Sequence, residues 1–162
     1  MIERMLADHA RLRACADCLE ALLVSADVPD PESLAAARWA LGSTMMQHLA
    51  LEERHLYAAL RDDPRAHVRR IAEAFQDDLV TSFGPYADHA KSWTPERVSG
   101  EWDTYRTQTL DLLQTMRARM TREETELYPL VERNGIDTRH SGLPGRNWTR
   151  EAFAIKERIG GR

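Results

Sequence analysis

One pattern occurs twice in this chain, and the repeat limits the folds open to it. His48-Leu49-Ala50-Leu51-Glu52-Glu53-Arg54-His55-Leu56-Tyr57 returns 71 positions later, from 48 to 119, as Arg119-Met120-Thr121-Arg122-Glu123-Glu124-Thr125-Glu126-Leu127-Tyr128. The Glu-Glu and Leu-Tyr pairs fall in register, as do Leu41 with Leu112 and Met45 with Met116. The chain therefore reads as a duplicated pair of helices. Inside the repeat stands one informative mismatch. His48 precedes Glu52 by four residues, which puts both on one helical face at a spacing suited to a shared metal ion. Its counterpart is Arg119, and an arginine cannot ligate a cation.

Three junctions, Asp30-Pro31, Asp63-Pro64 and Thr94-Pro95, put a capping side chain directly before a proline, whose fixed φ suits the first helical position. Together with the chain start they predict four helices, at 2–25, 31–61, 64–90 and 95–133, the last stopped by Asn134-Gly135. Apolar residues step by three and four through each: Met5, Leu12, Ala16 and Leu19; Leu34, Leu41, Met45 and Leu56; Val68, Ile71, Phe75 and Leu79; Tyr105, Leu112, Met116 and Leu127. Short connections between long helices favour antiparallel neighbours. The expected fold is all-α, an antiparallel up-down-up-down four-helix bundle over 1–133. The tail, 134–162, is rich in Gly142, Pro144, Gly145, Gly160 and Gly161, with a short capped helix around Trp148, Phe153 and Ile155 whose aromatics dock on the bundle or meet a partner.

Polar residues interrupt the apolar stripes at one depth. Counting ~1.5 Å per residue from the first two turns brings His9, His48 and Glu52 to a single level with positions 73–77 of the third helix opposite, and the repeat places Arg119 and Glu123 across from His48 and Glu52. Buried histidines and carboxylates are costly unless paired or bound to metal, so the layer points to a cation site or an internal ion pair.

Composition narrows the function further. At 162 residues and 43% hydrophobic the chain has the size of one domain. A net charge of −4 without a basic stripe argues against nucleic acid. No apolar run approaches a membrane span, and the charged start, Met1-Ile2-Glu3-Arg4, is not that of a secretory leader, so a cytoplasmic protein is expected. Cys15 and Cys18, three apart on one helix, are expected to be reduced core or near-core residues. No phosphate loop, nucleophile elbow or Cys/His pairing suggests an enzyme.

Asp8-His9, His48-x-x-x-Glu52-Glu53 with Leu56-Tyr57, and Glu123-Glu124-x-x-Leu127-Tyr128-Pro129 resemble the hemerythrin-like (HHE cation-binding) family over about residues 1–133. The resemblance implies a bundle whose core holds non-haem iron, often two ions, and a protein that binds or senses oxygen, nitric oxide or iron. It implies His9, His48, Glu52 and Glu123 as ligands. Two expected histidines are missing: Arg119 replaces one, and the third helix offers only Ile71, Glu73, Phe75, Gln76, Asp77 and Asp78. A complete di-iron set is thus not expected. Arg119 is expected to pair in bidentate fashion with one glutamate, leaving room for at most one ion.

Two functions follow: a cation-binding bundle for sensing or small-molecule binding, or a metal-free regulatory module in which Arg119 supplies the charge and the surface or tail meets a protein partner. Either is a monomer or a homodimer. Glu53 and Glu124 are expected at the surface or helix edge. His55, His67 and Glu126 are expected to form a solvated pairing rather than a second cation site. Tyr57, Tyr128, Trp93 and Trp102 are expected to pack the core and helix ends.

Overall fold

The computed structural model describes residues 1–140 and 148–159, the latter without the side chains of 148, 149 and 151–153. Among the described residues every regular element is helical. Helix α1 is Ile2–Val24. Helix α2 runs through Pro31–Leu51, the wider turn Glu52–Tyr57 and Ala58–Arg61. Helix α3 is Ala66–Ser92 and α4 the short Pro95–Gly100. Helix α5 runs through Trp102–Arg122, a second wider turn Glu123–Leu127 and Tyr128–Arg133. Helix α6 is Trp148–Ile159.

Local chemistry sets the boundaries. Asp30 accepts a hydrogen bond from the Ser33 N–H at 2.9 Å, and Thr94 from the Arg97 N–H at 3.3 Å, each with proline at the next position. At Asp63-Pro64 the carboxylate instead turns back onto Arg65, accepting from its N–H at 2.9 Å, so α3 starts at Ala66 rather than 64. The fourth expected helix is divided: Glu101, at φ −131° and ψ 44°, separates α4 from α5. Helix α5 ends in a Schellman turn, with Gly135 at φ +60°, Gly135 N–H to Glu132 O at 3.1 Å and Ile136 N–H to Val131 O at 3.1 Å.

The long helices meet as oppositely running neighbours. His9 meets His48 and Cys15 meets Thr44 across α1 and α2; Arg38 meets Ala90 and Gln76 meets Glu53 across α2 and α3. Arg117 reaches Asp17 and Glu20 while Glu124 reaches His9 and Arg13, across α1 and α5. The core between them is split in two. One apolar cluster gathers Leu12, Leu19, Leu41, Met45, Leu79 and Phe83; the other gathers Met5, Leu56, Leu60, Phe75, Leu127 and Val131. The polar layer separates them, since His9, His48, Glu52 and Glu123 each fall between members of the two clusters along the chain.

Two sequence expectations are corrected here, for Ile71 and Cys18. Ile71 is 37% exposed and Ala72 takes the inward position. Both cysteines are free, but Cys18 is exposed on the outer side of α1. Trp93 is buried and donates from Nε1 to Gln108 at 3.1 Å, while Trp102 is half-buried against the core. Helix α6 is present, and Ile155 and Ile159 are buried in the first cluster. The side chains of Trp148 and Phe153, and positions 142, 144, 145, 160 and 161, lie outside the described residues.

Candidate metal centre

Helices α1, α2 and α5 bring His9, His48, Glu52 and Glu123 together in the layer. One ligand atom from each lies within 4.8 Å of the others, and all four residues are buried. The two imidazoles face each other, Nε2 to Nε2, at 3.1 Å. Glu123 Oε2 is 3.3 Å from His9 Nε2, and Glu52 Oε1 is 3.6 Å from His48 Nε2.

The outer shell orients this group. His9 Nδ1 is 2.8 Å from Glu124 Oε1, and Arg13 holds that carboxylate by two bonds of 2.7 and 3.0 Å. A carboxylate accepts and does not donate, so His9 Nδ1–H donates to Glu124 and the ring presents Nε2 to the layer. His48 Nδ1 faces Asp8 at 3.8 Å, and Asp8 is itself paired with Arg11. Tyr128 donates to Glu52 Oε1 at 2.9 Å and touches His9 Nε2 at 3.1 Å.

Arg119 borders the layer. Its Nε is 2.7 Å from Glu123 Oε1, an ion pair without the alignment of a hydrogen bond. The remaining donors reach Phe75 O at 3.2 Å, Asp78 Oδ2 at 3.0 Å and Tyr57 Oη at 3.3 Å. The expected bidentate pairing is therefore corrected to a single-point contact, because three other acceptors compete for the guanidinium fork. Helix α3 supplies Asp78 to the arginine and no ligand to the cluster. The two tyrosines cross over: Tyr57 from the first repeat reaches Arg119 of the second, and Tyr128 from the second reaches Glu52 of the first.

Charges in the layer are divided unequally. Burial, aided by the nearby charge of Glu123, raises the Glu52 pKa. Burial works the same way on Glu123, but its contact with His9 and the charge of Arg119 prevail and lower it. For His48 burial is outweighed by Glu52, Asp8 and Glu123, which raise its pKa.

Both repeats wind into a wider turn at the same place. The segments Glu52–Tyr57 and Glu123–Leu127 are π-helical, and the Tyr128 N–H bonds back five residues to Glu123 O. Such turns gather at functional sites because the extra residue re-aims side chains. In the first repeat it draws the second glutamate inward. Glu53 is buried, bonded to Arg61 at 2.7 Å and Gln76 at 3.3 Å, which corrects its expected placement at the surface or helix edge, whereas Glu124, partly buried against His9, keeps to the helix edge. Sequence reasoning quoted Asp8 without giving it a role and gave none to Asp78 or Arg13. A carboxylate one residue before a ligand-type histidine was the available signal for Asp8.

Among the described residues no second group of three or more ligand-type side chains converges. His67 is exposed and Glu126 pairs with Arg122 at 3.6 Å, so the proposed association with His55 does not form.

A helical bundle crossed by a buried layer of imidazoles and carboxylates is the architecture of a cation-binding protein. The family model for the hemerythrin HHE cation binding domain matches residues 1–131, and the chain belongs to that family. Neither the curated proteins nor the solved structures give a match. Among the described residues no helix is long and apolar enough to cross a membrane.

The donor set fits one ion. One ligand atom from each of the four residues converges within 4.8 Å of the others, and Glu52 Oε2 has no hydrogen-bond partner. Imidazole with carboxylate suits iron, zinc or manganese.

Proposed function

We propose that this protein holds a single divalent cation, iron before zinc or manganese, between His9, His48, Glu52 and Glu123, and serves to bind or sense a small ligand such as oxygen or nitric oxide rather than to turn over a substrate. The observation that carries this reading is the approach of two imidazole Nε2 atoms to 3.1 Å with a carboxylate oxygen beside each. A bound iron would supply Lewis acidity and a redox couple. Around it the chain's own residues have separable roles. Glu124 orients His9, Asp8 sets a negative charge beside His48, Tyr128 offers a hydroxyl beside Glu52 and His9, and Arg119 neutralises Glu123. The arginine stands in place of a second ion, so the site is mononuclear.

A second reading is favoured by a different observation: Arg119 pairs with Glu123, and Tyr128 bonds to Glu52, so each carboxylate has one partner without metal. The protein would then be a metal-free regulatory module whose surface and tail engage another protein. Both readings place it in the cytoplasm, as a monomer or homodimer. Metal analysis of untagged protein separates them. About one iron per chain, lost in His48→Ala, supports the first; no metal at undiminished stability supports the second.

A further inference from the structure

Beside the polar layer, between α1, α2, α3 and α5 with Ile159 of α6, lies a cavity of about 70 Å³, walled by leucines, methionines and Phe83. His48, Arg119 and Glu123 border it at one end, Arg38, His89 and Tyr105 at the other. Arg38 is only 6% exposed. Its Nη2 donates to Ala90 O at 3.3 Å and its guanidinium lies over the Tyr105 ring, 5.4 Å from the centroid. No acidic side chain among the described residues pairs with it. A guanidinium has five donors and a permanent charge, and one carbonyl satisfies neither.

The surroundings leave the charge unbalanced. His89 stacks on Tyr105 and bonds Thr109 at 3.2 Å, and burial with two arginines nearby pushes its pKa down to about 4, so it is neutral at pH 7. The other nearby arginine, Arg97, has its own partner in Glu101 at 3.1 Å. The Tyr105 hydroxyl is buried and makes no hydrogen bond. Thus an unpaired cation and an unused hydroxyl both border one apolar space.

We propose that this cavity is a binding site for a short-chain monocarboxylate, its carboxylate held by Arg38 and Tyr105 and its aliphatic tail among the leucines and methionines. Arginine is the side chain best matched to a planar carboxylate. The volume is several times the ~10–15 Å³ needed to hold one water and about half the ~150 Å³ that admits benzene, which limits the tail to roughly two to four carbons in all. Water would satisfy the donors but leave the charge uncompensated. Phosphate would bring more charge than one arginine neutralises and has no use for the apolar wall.

Titration of the full-length protein with sodium propionate, at fixed ionic strength with chloride and nitrate controls, tests the site by calorimetry and thermal melting. Propionate should bind saturably and raise the melting temperature, while nitrate gives a much weaker response. Arg38→Met should lower affinity by at least about tenfold, as expected for a lost charged hydrogen bond, while the ligand-free variant melts no lower than the parent. Tyr105→Phe keeps the ring under Arg38 and should weaken binding several-fold, which tests the site even if Arg38→Met misfolds. Chelator treatment should leave propionate binding intact. No saturable binding, an equal response to nitrate, retained affinity in either variant, or loss on chelation would each overturn the proposal.

Discussion

His48 and Arg119 occupy equivalent positions in the two repeats, and each holds the glutamate four residues after it: His48 Nε2 lies 3.6 Å from Glu52 Oε1, and Arg119 Nε 2.7 Å from Glu123 Oε1. The geometry of the pair is thus shared while its chemistry differs. One member can donate a lone pair to a metal, and the other brings a fixed positive charge.

Replacing that charge tests its role. In metal-free protein Arg119→Met strands Glu123, and removing one partner of a buried pair costs about 3 kcal/mol or more. For a chain of this size the melting temperature should fall by about 6–12 °C. An unchanged melting curve would show that the arginine does not balance the layer. Arg119→His should instead raise the amount of bound metal per chain, read by elemental analysis.

The hydroxyl of Tyr128 bonds a buried carboxylate, so Tyr128→Phe should cost about 1–3 kcal/mol in the metal-free protein, measured by urea unfolding. Ser92→Ala removes only an exposed hydroxyl bonded to His89 O and should lie within about 0.5 kcal/mol of the parent. Equal effects from the two changes would refute a special role for the tyrosine.

Acid should weaken the end of the bundle that holds His89. Its neighbours are Arg38 on α2, Arg97 on α4, and Tyr105 and Thr109 on α5. Burial and the two arginines lower its pKa from 6.5 to about 4. Between those values the unfolded chain binds more protons than the folded one, so this contribution to stability is complete above about pH 6.5 and declines as pH falls toward 4. His89→Gln removes the titrating group. The difference between urea midpoints at pH 7 and pH 5 should shrink in the variant; an unchanged difference would remove His89 from the account.

Helix α6 depends on a small residue in α2. A Cβ at Gly42 would lie 3.2 Å from Tyr86 Oη and 3.6 Å from Ile155 Cγ2, so Gly42→Leu cannot be accommodated without displacing one of them. Hydrogen exchange should rise across 154–159 while residues 2–24 remain protected. Uniform loss of protection would mean that the whole bundle had been destabilised.

The layer was legible because helical rise is regular and the chain repeats: counting from two turns put His9, His48 and Glu52 at one level, the repeat carried Arg119 and Glu123 to it, and these residues do meet. Glu53 was misread because the count assumed 3.6 residues per turn throughout. A Glu-Glu-x-x-Leu-Tyr segment gives no sign of the wider winding that begins at its first glutamate. The break at Glu101 was hidden for another reason: the apolar stripe continues from Val98 to Trp102 and Tyr105, although the backbone does not. The orientation of Arg119 depended on acceptors from α2, α3 and its own helix, which no local pattern could weigh.

The wide turns begin at equivalent glutamates, Glu52 and Glu123, in both halves of the repeat. The backbone that shapes the layer is therefore common to the two copies and indifferent to what stands at 48 or 119. Exchange of a ligand for a cation at that position is a change of furnishing on a finished frame, and the reverse exchange asks nothing of the main chain.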